Sequence, residues 1–315
     1  MKTLTRIYPG LLLFAMGFSA NGAETQRLVN IRDSYPSASP DGTQLVFQSN
    51  RTGTAQLFIQ GMDGGDIRQL TTLERGAETP VFSPDGARIL FGAYVGEGDN
   101  NVFVMEPDGG GITQLTSGPG YDGHPHWSAD GQRIVFNSDR NTPDPDAGWS
   151  DRWHDIYSMR ADGSDVQRHT WCEAVCTYGS FSPDGQKVLY RKVIRGAGLN
   201  WALQPIEKNS EVFVADPDGS NEVNLSDHPA FDGWPVWSPD GQWIAFASNR
   251  AGPELTGQVW LIRPDGSGLR QLTEGEWSHV QPAWSADSRS IFAYQGRETE
   301  QYEFGSVVRI TVAMD

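Results

Sequence analysis

An all-β chain, folded as a six-bladed β-propeller with four antiparallel strands in each blade, is what this sequence predicts. Three observations carry the prediction. A Ser-Pro-Asp-Gly turn or a near copy recurs six times, in "SPDGTQLVF", "SPDGARILF", "SADGQRIVF", "SPDGQKVLY", "SPDGQWIAF" and "SADSRSIFA". The turn aspartates Asp41, Asp85, Asp130, Asp184, Asp240 and Asp287 lie 44, 45, 54, 56 and 47 residues apart, spacings that suit one blade each. No stretch carries the apolar period of an amphipathic helix.

Within each repeat the strands follow a fixed order. A short first strand ("PVFS", "PVWS", "PAWS") runs into the turn, where Pro presets φ and Gly takes the positive-φ position. A second apolar strand follows ("QLVFQ", "RIVFN", "WIAFA"), then a loop, then a third strand ("LFIQ", "VFVM", "VWLI"). An Asp-Gly pair, a strong hairpin signal, leads to the fourth, "RQLT" or a relative. Blades are expected to start near residues 34, 78, 123, 177, 233 and 280. The sixth repeat stops three strands in, at "SVVRITVAMD". "QRLVN" (Gln26–Asn30) precedes the first blade with the spacing "RQLT" has before the second. It is therefore expected to complete the last blade and close the ring, which removes an exposed sheet edge.

Residues 1–23 read as a secretory signal, and residues 24–315 as the propeller. Lys2 and Arg6 precede the apolar run "GLLLFAMGF", too short to span a bilayer, and the small-residue exit "SANGA". Cleavage is expected near Ala23, with the periplasm as the first destination and full secretion as the second. No later run is long enough for an integral membrane segment. The net charge is −16, and it becomes two charges more negative without Lys2 and Arg6. Such a surface repels nucleic acid and anionic lipid. Cys172 and Cys176, in "WCEAVCTYG", suit a local disulfide in an oxidising compartment; zinc would need a second Cys/His pair in register.

"SNR" at Ser49–Arg51, "SDR" at Ser138–Arg140 and "SNR" at Ser248–Arg250 follow the second strand of their repeats. With the x-P-x-W-S-P-D-G strand and turn, and D-G-S before L-T, these repeats resemble the TolB-like propeller family across nearly the whole chain after residue 23. The resemblance implies the propeller fold and says little about activity, because unrelated functions ride on one scaffold. The family's namesake, a periplasmic partner of a peptidoglycan-associated lipoprotein, also has an N-terminal α/β domain; none is expected within these 315 residues.

Strand order divides the propeller into two faces. The short first-to-second and third-to-fourth turns fall on one. The second-to-third loops and the blade crossings fall on the other, where lengths diverge: "NRTGTAQ" in the first blade, "DRNTPDPDAGWSDRWHD" in the third, "VIRGAGLNWALQPIEKNSE" in the fourth. Function is expected on the variable face. The residue before the first strand's proline position should ring the central opening there: Tyr35, Thr79, His124, Tyr178, Trp234 and Gln281. With Trp149, Trp153, His154 and Trp201 on long loops, they would make an aromatic basin suited to a protein or sugar ligand. His126, at the position of Val81, Val236 and Ala283, is expected to pack between blades.

The expected function is a non-catalytic binding module without a cofactor, recognising an envelope protein first or a glycan second. The alternative is a metal-assisted uronate lyase. His124, His126, His228 and His279, with Gln281, Asp122 and Asp232, feed one face, and imidazoles suit a transition metal. This set is faintly similar to the oligogalacturonate lyases, TolB-like propellers with a His/Gln-bound metal. Arg191, Lys192 and Arg195 would offset the acidic field around such a substrate. Asp144, Asp146 and Asp151 are a further candidate for calcium. No G-x-S-x-G elbow, H-E-x-x-H helix or phosphate-binding G-x-x-x-x-G-K-[ST] loop is present.

Overall fold

A computed structural model describes residues 31–313, apart from 149–150, 200–204, 253–255 and 297–304, together with the backbone of two short strands, Ala15–Phe18 and Glu24–Gln26. The described chain is all-β: six antiparallel sheets follow one another as blades, each with its strands in chain order. The first strands are Asp33–Ala38, Ala77–Phe82, Asp122–Trp127, Cys176–Phe181, Asp232–Trp237 and Ser278–Trp284, one per blade. No helix among the described residues is long and apolar enough to cross a membrane.

The repeated turn holds itself together. In the first blade Asp41 Oδ1 accepts from Ser39 Oγ at 2.6 Å and from the Thr43 N–H at 3.0 Å, and Gly42 sits at φ 71°. The same hydroxyl bond recurs at Ser83–Asp85, Ser128–Asp130, Ser182–Asp184, Ser238–Asp240 and Ser285–Asp287. These short-range bonds, with the serine hydroxyl foremost, hold the Asp41, Asp85 and Asp130 carboxyls below their ordinary range. The sixth copy has Ser288 at φ 58° where the others have glycine.

Apolar faces of neighbouring blades form the core. Val46 and Leu57 of the first blade join Ile89 and Phe91 of the second, and Leu90 of the second joins Ile134 and Phe136 of the third. The "SNR" and "SDR" motifs latch three of the blades. Arg51, Arg140 and Arg250 each bond the serine two residues before and the aspartate that opens the first strand, Asp33, Asp122 or Asp232. Each guanidinium also lies over aromatic rings of its own blade. In the second, fourth and sixth blades the aspartate position is Ala77, Cys176 or His279, so the latch alternates around the ring.

The last blade packs on the first as the others pack on their successors. Arg32 bridges Gly305 in parallel, as Tyr121 bridges Asn100 and Val175 bridges His154. The Gly305 N–H also donates to the Ile31 carbonyl at 3.1 Å. Three strands of the sixth blade are described, Ser278–Trp284, Ser290–Gly296 and Gly305–Thr311. Of the segment expected as its fourth, residues 27–30 lie outside the described residues. Glu24–Gln26 pairs instead with Ala15–Phe18 in a separate two-stranded sheet, which also draws part of the expected signal into strand pairing. Cys172 and Cys176 form a disulfide at the entry to the fourth blade, whose first strand Cys176 opens.

Candidate functional site

Tyr35, Thr79, His124, Tyr178, Trp234 and Gln281 converge on the propeller axis and line one cavity of about 270 Å³. All six have positive φ, between 48° and 57°, and none is glycine. Each sits at a β-bulge, where the pairing between first and second strands slips. The bulge turns into the channel a side chain that regular pleating would send between blades. Holding bulky residues in the left-handed region costs about 1 kcal/mol or more each, so the surroundings must over-determine the ring. They do so partly through hydrogen bonds: the Tyr35 N–H donates to Gln281 Oε1 at 3.1 Å, and the Thr79 N–H to Gln48 Oε1 at 3.3 Å.

Ring packs on ring at the axis. The His124 and Tyr178 centroids are 4.0 Å apart, Tyr178 and Trp234 6.1 Å. His124 Nδ1 lies 2.7 Å from Asn137 Oδ1, and burial still lowers its pKa to about 4, so the imidazole is neutral at pH 7. Burial pushes the Tyr178 phenol well above 10. On the variable side lies a polar layer that the sequence did not reveal. Glu78 accepts from the Tyr121 hydroxyl and Asn100 Nδ2, both at 3.0 Å, and burial raises its pKa against those bonds. "AETP" places Glu78 beside a ring residue, but its partners come from 22 and 43 residues away.

The cavity extends in the direction opposite to the one expected. Its wall consists of the ring and of residues after it in the first strands, down to Phe82, Trp237 and Trp284 and on to Pro239 in a turn. It runs from the ring toward the face of the Asp-Gly turns, and the ring is its floor. His126 belongs to this wall, with Val81, Val236 and Ala283 at the same level, and Val81 and Val236 also pack against the cores between blades. Its Nδ1 lies 2.9 Å from the Trp127 carbonyl oxygen.

The remaining candidates scatter. His154 is buried beside Tyr121, the ring centroids 6.0 Å apart, and Trp153 lines a separate cleft. Trp149 and Trp201 lie outside the described residues. His279 Nδ1 is 3.2 Å from Gln258 Oε1, and His228 Nδ1 accepts from the Ala230 N–H. Asp122 and Asp232 are engaged by Arg140 and Arg250. Asp144 Oδ1 accepts from the Asp146 N–H, and Asp151 pairs with Lys208. Among the described residues no three His, Cys, Asp or Glu side chains form a group that could hold a metal ion, so neither the four histidines nor the three aspartates fit one.

Comparison with known proteins agrees with this architecture. The family described as PD40, TolB beta propeller domain, matches residues 74–203. The TolB homolog of Chlorobium luteolum is 29% identical over 278 residues, which is 78% of this chain and 60% of that protein. The crystal structure of TolB from Acinetobacter baumannii superposes with a TM-score of 0.64 at 19% identity, across 89% of this chain and 61% of that one. An oligogalacturonate lyase in complex with manganese superposes with a TM-score of 0.60 at 14% identity, across 96% and 97%. This chain thus spans about three fifths of the length of both TolB proteins, and the structural likenesses establish fold alone.

Proposed function

We propose that this chain, similar to the TolB-like propellers in its repeats and its fold, is an exported, non-catalytic binding module that recognises a protein of the cell envelope. The axial cavity carries this reading. Its wall is built of Val81, Val236, Phe82, Trp237 and Trp284, and its floor offers the hydroxyls, imidazole and amide of Tyr35, Tyr178, His124 and Gln281. An apolar wall with a few convergent polar groups is the usual composition of a ligand pocket. Burial leaves His124 neutral, so the floor is a set of uncharged donors and acceptors suited to a backbone or polar side chain.

A protein segment fits better than a glycan, because the wall presents more apolar side chain than hydroxyl-binding surface. The reading calls for no cofactor: purified protein should carry no stoichiometric divalent metal by elemental analysis. It also assigns residues 1–23 to export, which N-terminal sequencing of the exported protein checks. The direct test compares the wild type with Val236→Trp, which fills the cavity. Peptides selected on the wild type from a displayed library should lose at least about tenfold in affinity for the filled variant. Selected peptides that bind both proteins alike would sink the reading, as would selection that yields no peptide binder.

A further inference from the structure

The two long insertions on the variable face build a second cleft, separate from the axial cavity. In the fourth blade the second and third strands run 12 and 11 residues, Val188–Leu199 and Pro205–Ala215. Beside them the first strand begins only at Cys176, paired with Lys192, and the Val193 N–H donates to the Val175 carbonyl at 3.0 Å. From Ile194 outward the hairpin continues through Ile194–Asn209 and Arg195–Lys208, with no strand among the described residues beside its first arm. The Cys172–Cys176 disulfide holds the preceding segment in a turn, with Glu173 at φ 48°, and so keeps it from extending along that edge. Opposite stands the third blade's long loop, with Asp151, Arg152 and Trp153.

The cleft between them is about 350 Å³ in volume. Arg152, Lys192, Arg195 and Lys208 line it, against the two carboxylates Asp151 and Glu173, in a chain whose net charge is −16. Arg152 is tied to Asp139 at 3.0 Å, Lys192 to Glu222 at 2.8 Å and Lys208 to Asp151 at 2.6 Å. Arg195 is exposed and makes no ion pair or side-chain hydrogen bond among the described residues. The alternation that aims the Val193 N–H at Val175 aims the backbone of Arg195 along the same open edge.

We propose that this cleft binds an extended acidic segment of a partner protein, which adds as a strand along the hairpin edge from Arg195 outward, past the Val193 N–H already bonded to Val175, and places a carboxylate on the Arg195 guanidinium. An open strand edge offers donors and acceptors at peptide spacing, which selects a polypeptide over a sugar chain. Arg195, the lining cation without a carboxylate partner among the described residues, attracts an acidic ligand that the rest of the surface repels. This site neither uses nor requires the axial cavity.

The probe is a fluorescein-labelled peptide of about eight residues alternating Glu and Val, titrated by anisotropy against the full chain at low salt. Saturable binding is expected, weakened about tenfold or more by Arg195→Glu, kept within about threefold by Arg195→Lys, and weakened by added salt. N-methylation of alternate peptide amides should weaken it as well, because it removes the donors that strand addition needs. Arg195 is exposed, so its variants should keep the wild-type circular dichroism spectrum. The proposal is overturned by an absence of saturable binding, by equal affinity for Arg195→Glu, by indifference to N-methylation, or by tighter binding of an acidic oligosaccharide of equal charge.

Discussion

The phenol oxygens of Tyr35 and Tyr178 lie 3.4 Å apart. These residues stand in the first and fourth blades, on opposite sides of the six-membered ring, so the contact spans the axis and closes the cavity floor. Removing one hydroxyl should cost about 0.5–1.5 kcal/mol, and a double-mutant cycle over Tyr35→Phe and Tyr178→Phe should show coupling of roughly 0.5 kcal/mol. Urea unfolding of the four proteins measures it. Strict additivity would mean that the two blades do not support one another through this pair.

Thr79 is the β-branched member of the positive-φ ring, at φ 51°, and its buried Oγ1 has no hydrogen-bond partner among the described residues. Asparagine tolerates the left-handed region better, and its amide can reach local backbone groups. Thr79→Asn should therefore raise stability by about 0.5–1 kcal/mol, read as a Tm increase of roughly 1–4 °C. A fall in Tm would show that the threonine methyl is worth more to the packing than the strain costs.

The fold was legible because its signals are local. Ser39, Asp41 and Gly42 close their turn within a few residues, and six copies at blade spacing leave little choice of architecture. The ring was legible as a position, the residue ahead of Pro36, Pro80, Pro125, Pro235 and Pro282. Its direction was not. That depends on a bulge that turns the side chain inward, and nothing in a Tyr or Trp codon position announces positive φ. The contacts of Glu78 with Asn100 and Tyr121, and of Arg250 with Asp232, are likewise settled by register between strands.

Arg250 and Arg51 occupy the same repeat position yet should differ in worth. The Asp232 and Arg250 side chains are 0% and 7% exposed, against 19% and 20% for Asp33 and Arg51. Removing Arg250 strands a buried carboxylate, so Arg250→Met should cost about 3–5 kcal/mol, whereas Arg51→Met should cost about 1 kcal/mol. Burial already raises the Asp232 pKa to about 6 with Arg250 opposing the shift. Without that cation protonation becomes easier, so the Arg250→Met loss should shrink at pH 5 relative to pH 8. Chemical denaturation at both pH values decides it, and equal losses for the two arginines would contradict the burial argument.

Glu211 gives a pH dependence of its own. Its carboxyl is 1% exposed and accepts from Ser226 Oγ, Asn209 Nδ2 and the His228 N–H. Burial raises its pKa to about 7, nearby Asp232 adds to the shift, and Arg250 opposes it. An acid with a raised folded pKa binds its proton more tightly in the native state. Its contribution to stability is therefore full below the unfolded value of 4.5 and is lost as pH rises through about 7. His124 and His154, both lowered to about 4 by burial, act in reverse: their contribution is full above 6.5 and falls as pH drops. The difference between Glu211→Gln and wild type isolates the carboxyl, because the histidines are common to both. Glutamine mimics the protonated form, so the variant should melt near the wild-type temperature at pH 5 and higher by about 4 °C or more at pH 8. Thermal scans across that range test it, and two parallel curves would mean that Glu211 keeps an ordinary carboxylate pKa in the folded blade.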